Sequence, residues 1–148
     1  MSQQSIRLGR RVAALAAAGA LAAAGFIAVA TPAAAASGCH AVRPQNGFYE
    51  AGRVASEMLT VPANARCTTI SVKNIKDPAN LADHCQTFLV GFFPPEAESM
   101  YTEPVEACSP APGGAEVILA TDVPDGMIYR VIYEIDYLGQ NLRYGIRH

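Results

Sequence analysis

The sequence predicts an all-β protein: an antiparallel β-sandwich of about seven strands, preceded by a helical signal peptide. Three observations carry that prediction. Beyond residue 36, apolar residues recur with period two and hardly anywhere with the 3.6-residue period of a helix. Turn-forming Pro, Gly, Asn and Asp punctuate those runs about every eight to twelve residues, as in sandwiches. All four cysteines, Cys39, Cys67, Cys85 and Cys108, lie in that same portion, where an oxidising compartment favours two disulfides over free thiols.

The N-terminus comes first. Arg7, Arg10 and Arg11 make a cationic start, Val12 to Ala30 carries no charge, and Ala34-Ala35-Ala36 offers the small residues after which a signal peptidase cuts. Alanine dominates the apolar run and Gly19 and Gly25 interrupt it. Its transfer into a bilayer is therefore weak, and a cleaved signal is expected rather than a permanent membrane helix. Arg10-Arg11 is similar to a twin-arginine address, but Val12-Ala13-Ala14-Leu15 lacks the bulky residue that usually follows, which points to general secretion. Ala36-Ser37-Gly38-Cys39 raises a second question, lipid attachment at Cys39. Ala36 stands where a lipobox has leucine, Thr31-Pro32 separates the apolar run from the cysteine, and a lipid on Cys39 orphans one of four thiols. The expectation is cleavage before Ser37 and a secreted protein with no stable membrane anchor. Residues 1–36 are assigned to the signal, 37–56 to an N-terminal segment and 57–148 to the sandwich domain. The exported 112 residues keep all thirteen acidic and eight of the eleven basic residues, a charge of −5 before histidines. That size suits one domain, and that charge argues against nucleic acid or anionic lipid as partner.

The strands follow in order. Residues 57–61 (EMLTV), before Pro62, read as a short first strand. Residues 67–75 (CTTISVKNI) alternate, with Ile70 and Val72 on one face. Residues 85–93 (CQTFLVGFF) are nearly all apolar, as in a central strand covered on both sides, and 101–108 (YTEPVEAC) hold Pro104, which suits an edge. Residues 116–123 (EVILATDV) lead into the turn Pro124-Asp125-Gly126. Residues 127–137 alternate most clearly: Tyr129, Val131, Tyr133, Ile135 and Tyr137 share one face, Ile128, Arg130, Ile132, Glu134 and Asp136 the other. Residues 142–148 alternate too. A four-residue loop at 138–141 predicts a hairpin pairing Tyr137 with Leu142, Ile135 with Tyr144 and Tyr133 with Ile146, with Asp136 opposite Arg143. Within 39–56, Asn46-Gly47 suggests a small extra hairpin, while 49–58 retains helix as an alternative and 78–83 a single helical turn.

Hairpin register also sorts the cysteines. With 85–93 and 101–108 antiparallel across the 94–100 loop, Cys85 faces Cys108 at the open end, within disulfide reach. Cys39 with Cys67 follows by elimination. Three connectivities remain formally open, and this one is preferred.

The stretch from Val123 through Gly126 and Tyr129 to Val131 resembles the E to F corner of fibronectin type III and related immunoglobulin-like sandwiches. That resemblance implies an immunoglobulin-like fold, with Val123 closing one strand, Gly126 making the turn, and the Tyr129 hydroxyl bonding back to the backbone. The core tryptophan of such domains is absent, since the chain has no tryptophan. The Arg-Arg, alanine-rich signal resembles those of small secreted proteins of high-GC Gram-positive bacteria. Neither resemblance implies one function, because sandwiches host many.

Chemistry-bearing constellations are sparse. Of His40, His84 and His148, only His84, beside Asp83, suits a triad base, and its plainer reading is a polar turn entering a strand. No Gly-x-Ser-x-Gly elbow, His-Glu-x-x-His or Cys-x-x-Cys occurs, so no catalytic residue and no enzyme activity are assigned. No cofactor or metal is expected. Calcium at Asp122 with Asp125, or at Glu96 with Glu98, reaches neither an EF-hand nor a repeat pattern, and a solvated acidic turn accounts for each pair. The remaining site is a binding loop at Phe92, Phe93, Pro94, Pro95 and Glu96, where an apolar strand runs into a two-proline turn. The expected function is that of a secreted, disulfide-stabilised, non-catalytic binding or structural module with a protein or cell-wall partner. A small extracellular protease inhibitor presenting the 94–100 loop is the alternative, and a hydrolase centred on His84 the third.

Overall fold

The computed structural model describes residues 38–148 apart from 65 and 110–113. The signal peptide assigned to 1–36 lies outside the described residues. Eleven short strands and no helix make up the described chain: β1 (Ala41–Val42), β2 (Asn46–Glu50), β3 (Arg53–Ser56), β4 (Leu59–Thr60), β5 (Ile70–Lys76), β6 (Cys85–Phe92), β7 (Met100–Tyr101), β8 (Val105–Cys108), β9 (Val117–Ala120), β10 (Ile128–Glu134) and β11 (Arg143–Arg147). They form two antiparallel sheets. Sheet A has the order β1-β11-β5-β9, and sheet B the order β2-β3-β10-β6-β7, with β4 also along β10 and β8 also along β6. This is a β-sandwich. The seven strands expected from alternation are all present, the one holding Pro104 divided into β7 and β8, an edge as its missing donor requires.

Residues 41–56, set apart as an N-terminal segment in the sequence reading, supply strands to both sheets. β1 pairs with β11, and β2 pairs with β3, which pairs with β10. The turn of the β2–β3 hairpin is at Ala51-Gly52, where Gly52 takes φ +79°. Asn46-Gly47 instead lies within β2, and 49–58 is not helical: tight-turn and helix preferences give way to the ladder that β3 makes with β10.

The core lies between the sheets. Ile70, Val72, Ile75, Tyr144 and Ile146 come from sheet A and Phe88, Val90, Tyr129, Val131 and Tyr133 from sheet B, all at most 5% exposed. Tyr133, Phe88 and Tyr144 meet edge-to-face at centroid distances of 5.1 to 6.2 Å, a geometry favoured by the aromatic quadrupole. Ile75 reaches the interior because Asn74 takes φ +54°. That kink inserts an extra residue into β5, shifting its register with β11 between the Lys73↔Gly145 and Lys76↔Arg143 pairs.

The 138–141 segment corrects the sequence reading. It is not a hairpin: β10 lies in sheet B between β3 and β6, whereas β11 lies in sheet A between β1 and β5. Both edges of β10 are already taken, so β11 completes the other sheet. The inner-face tyrosines still meet, across the sandwich rather than across a ladder, and Leu142 N–H donates to the Tyr133 hydroxyl at 3.0 Å. Tyr137 lies beyond the end of β10, 40% exposed, and its hydroxyl donates to Asp77 Oδ2 at 2.6 Å. Asp136 does not face Arg143, and its Oδ2 accepts from Gln140 Nε2 at 3.3 Å. Buried Gln140 fills this crossing, donating also to Asp77 and Gln86.

Candidate functional site

Two disulfides frame the sheets. Cys85 and Cys108 are register partners on β6 and β8, which sets their Cα atoms 4.0 Å apart. Cys39 and Cys67 are bonded as well, at 5.0 Å, and no cysteine is free. Both pairings agree with the preferred connectivity.

The expected binding loop begins where β6 ends. Phe92 packs against the core, whereas Phe93 stands on the outer face of sheet B. Pro94 is half-buried and Pro95, Glu96 and the residues through Tyr101 are exposed. The loop is held at its base by Gly91↔Tyr101 and Phe92↔Met100.

A larger assembly covers the outer face behind it. Phe93 meets Tyr101 edge-to-face at 6.3 Å. The Tyr101 and Tyr49 hydroxyls are 2.7 Å apart, and the Arg130 guanidinium lies 5.9 Å from the centre of the Tyr49 ring, within cation–π range. Tyr49 and Tyr101 sit on β2 and β7, the opposite edges of sheet B. Their hydroxyls meet only because both side chains lie down over the strands between. Ile132, on that same outward face, is fully covered. Gly91 makes room: a Cβ there meets Tyr101 Cε1 at 3.0 Å, Ile132 Cδ1 at 3.1 Å and Phe93 Cε2 at 3.2 Å. The Tyr101 hydrogen bond, with burial second, pushes the Tyr49 hydroxyl up to about 12, so the Tyr49 phenol is neutral at physiological pH. The result is a fixed aromatic layer with Tyr101 52% exposed at its rim, whereas Met100, paired with core-facing Phe92, lies on the other side of the sheet.

Sequence reasoning found Phe93 but missed Tyr49, Gly91, Tyr101 and Arg130. Arg130 and Ile132 were legible as outward-facing on β10. Nothing local to residue 49 signals that its ring lies across the outer face of sheet B.

The other candidates resolve differently. Asp83 Oδ1 accepts from Cys85 N–H at 3.1 Å and makes no bond to His84, whose Nδ1 is buried with no partner among the described residues. Ser109 lies close, its N–H bonded to His84 O, but its Oγ accepts from Asn74 N–H at 2.8 Å. Asp125 Oδ1 accepts from Asn64 N–H at 3.2 Å, and Glu96 and Glu98 are exposed. Among the described residues no group of three or more His, Cys, Asp or Glu converges to hold a metal. At the corner that resembles the immunoglobulin-like E to F turn, Val123 is buried and Gly126 has φ +77°. The buried Tyr129 hydroxyl meets His148 Nδ1 at 2.9 Å rather than the backbone. No family model, curated protein or solved structure matches the chain.

Proposed function

We propose that this chain is a secreted, non-catalytic binding module of the immunoglobulin-like kind that docks a protein partner through the outer face of sheet B. The two disulfides fit a disulfide-stabilised extracellular module. The observation that carries the reading is the pre-ordered aromatic layer: Tyr49, Phe93 and Tyr101 are locked by mutual contacts and Arg130, yet Tyr101 stays half exposed. Tyrosine, phenylalanine and arginine are enriched at protein interfaces. Rings already fixed lose little side-chain entropy on association.

The test is a photo-crosslinking residue placed at Thr87, exposed on the outward face of β6, in the exported protein, against the same residue at Leu138, 96% exposed in the crossing after β10. A discrete crosslinked product from position 87, reduced by Tyr101→Ser, supports the reading. Equal labelling at both positions, or none at 87, overturns it. The exposed 95–100 segment favours a second reading, a protease inhibitor. It predicts a stoichiometric complex with a secreted protease that disappears when 95–99 is replaced by glycine and serine.

A further inference from the structure

We propose that the sandwich carries an anion-binding cleft, away from the aromatic layer, that takes a hydroxyl-rich ligand bearing carboxylate or phosphate groups. A cleft of about 620 Å³ opens beside the start of β11, and its lining includes Arg43, Asn46, Asn74, Lys76, Asn141 and Arg143. Three of the eight cations beyond the signal meet there. Among the described residues no carboxylate lines it, although the exported part as a whole is acidic.

The fold builds this concentration deliberately in register. The Asn74 kink sets Lys76 directly opposite Arg143 on the β5–β11 ladder, so two exposed cations face one another across neighbouring strands. Like charges so placed destabilise a sheet. No ion pair to Lys76, Arg143 or Arg43 occurs among the described residues, whereas Arg53 and Arg147 are paired with Glu50 and Glu116. Two carboxylates adjoin the cleft without lining it. Glu57 Oε1 accepts from Gln45 N–H, and Asp77 accepts from Tyr137, Gln140, Ala79 and Asn80.

The third cation arrives from the other direction. β1 is in sheet A and β2 in sheet B, so residues 43–45 bridge the sheets and bring Arg43 to the rim. The floor is fixed: Asn46 Nδ2 donates to Leu142 O at 2.7 Å and its Oδ1 accepts from the Tyr144 hydroxyl at 3.0 Å. Asn141, exposed at the mouth, adds an amide suited to ligand hydroxyls. An oxyanion between Lys76 and Arg143 removes their repulsion and gains charge-assisted hydrogen bonds from both.

The test is calorimetric titration of the exported, oxidised protein with three probes: a galacturonate tetramer, its neutral methyl ester, and a glycerol phosphate oligomer. The expected result is binding of at least one charged probe and not of the ester. It weakens with added salt and about tenfold or more in Lys76→Gln/Arg143→Gln, while Arg53→Gln, on the opposite sheet, binds as the parent does. That double variant removes a repulsion, so it is also expected to melt no lower than the parent. A preference for galacturonate identifies a uronic-acid ligand, and one for glycerol phosphate identifies a phosphodiester ligand. No binding of either charged probe at millimolar concentration, or binding that the double variant leaves intact, overturns the proposal. None of these outcomes bears on docking at sheet B.

Discussion

Replacing Asp77 with alanine tests how the sandwich is locked where the chain crosses between sheets. Asp77 is 1% exposed. Its Oδ1 accepts from Ala79 N–H at 2.8 Å and Asn80 N–H at 3.3 Å. Its Oδ2 accepts from the Tyr137 hydroxyl at 2.6 Å and Gln140 Nε2 at 3.2 Å. Hydrogen bonds to a charged group contribute roughly 1.5–3 kcal/mol each, but the four do not add. Ala79, Asn80 and Tyr137 are exposed enough to return to water, and buried Gln140 keeps contacts with Gln86 and Asp136. Loss of the carboxylate also relieves its desolvation. The net cost of Asp77→Ala is therefore about 2–3 kcal/mol, which for a domain of this size lowers Tm by about 10 °C. The Tyr137 hydroxyl, with the backbone and Gln140 donors, outweighs burial and holds the Asp77 carboxyl below its ordinary value. A depressed folded pKa stabilises above the unfolded value, about 3.9, and that stability is lost as pH falls through the folded value. The gap between parent and variant should thus be full at pH 7 and shrink below pH 4. Thermal unfolding followed by circular dichroism, disulfides intact, measures both. A variant within about 0.5 kcal/mol of the parent at pH 7, or a gap indifferent to acid, refutes the reasoning.

Other perturbations follow from the same geometry. Gly91→Ala drives a methyl against Tyr101, Ile132 and Phe93, so it should cost about 1–3 kcal/mol by overpacking and disturb the Tyr49–Tyr101 contact. Spectroscopic titration should then show Tyr49 ionising below its value of about 12. The double variant Cys85→Ala/Cys108→Ala opens a loop spanning 23 positions and should lose about 3 kcal/mol in denaturant unfolding. Burial, with neighbouring His40 second, holds His148 below its ordinary value, so the parent should be most stable above about pH 6.5 and weaken as pH falls further through the folded value. His148→Asn should flatten Tm between pH 7.5 and 5, and an unchanged slope contradicts the assignment.

Much of this architecture is legible in the residues, and the illegible parts share a cause. Alternation identifies Tyr129, Val131 and Tyr133 as inward because a strand's side chains repeat every two residues. The Cys85–Cys108 pair is legible because both cysteines belong to one hairpin, whose loop sets the register. Alternation does not say which of two facing sheets a strand joins, and β11 was therefore assigned to the wrong one. Ile75 and Asn74 break the period through a single left-handed residue, which no pattern announces. The aromatic layer requires contact between residues 49 and 101, and the basic cleft unites positions 43, 76 and 143. A charge of −5 over residues 37–148 gives no hint of three cations gathered at one mouth.

The pairing of β1 with β11 has a consequence for the order of events as the chain emerges. Ala41 lies against Arg147 and Val42 against Ile146, and β1 has no other neighbour in its sheet. Cys67 follows Cys39 by 28 residues, so their sulfurs are available to each other early. The strand between them waits about a hundred residues for its ladder. For a chain delivered from its N-terminus, oxidation can precede completion of sheet A, but completion cannot precede arrival of the last strand. A nascent chain arrested before β11 leaves both β1 and the flank of β5 without partners, the kind of bare strand edge that folding surveillance and proteases recognise.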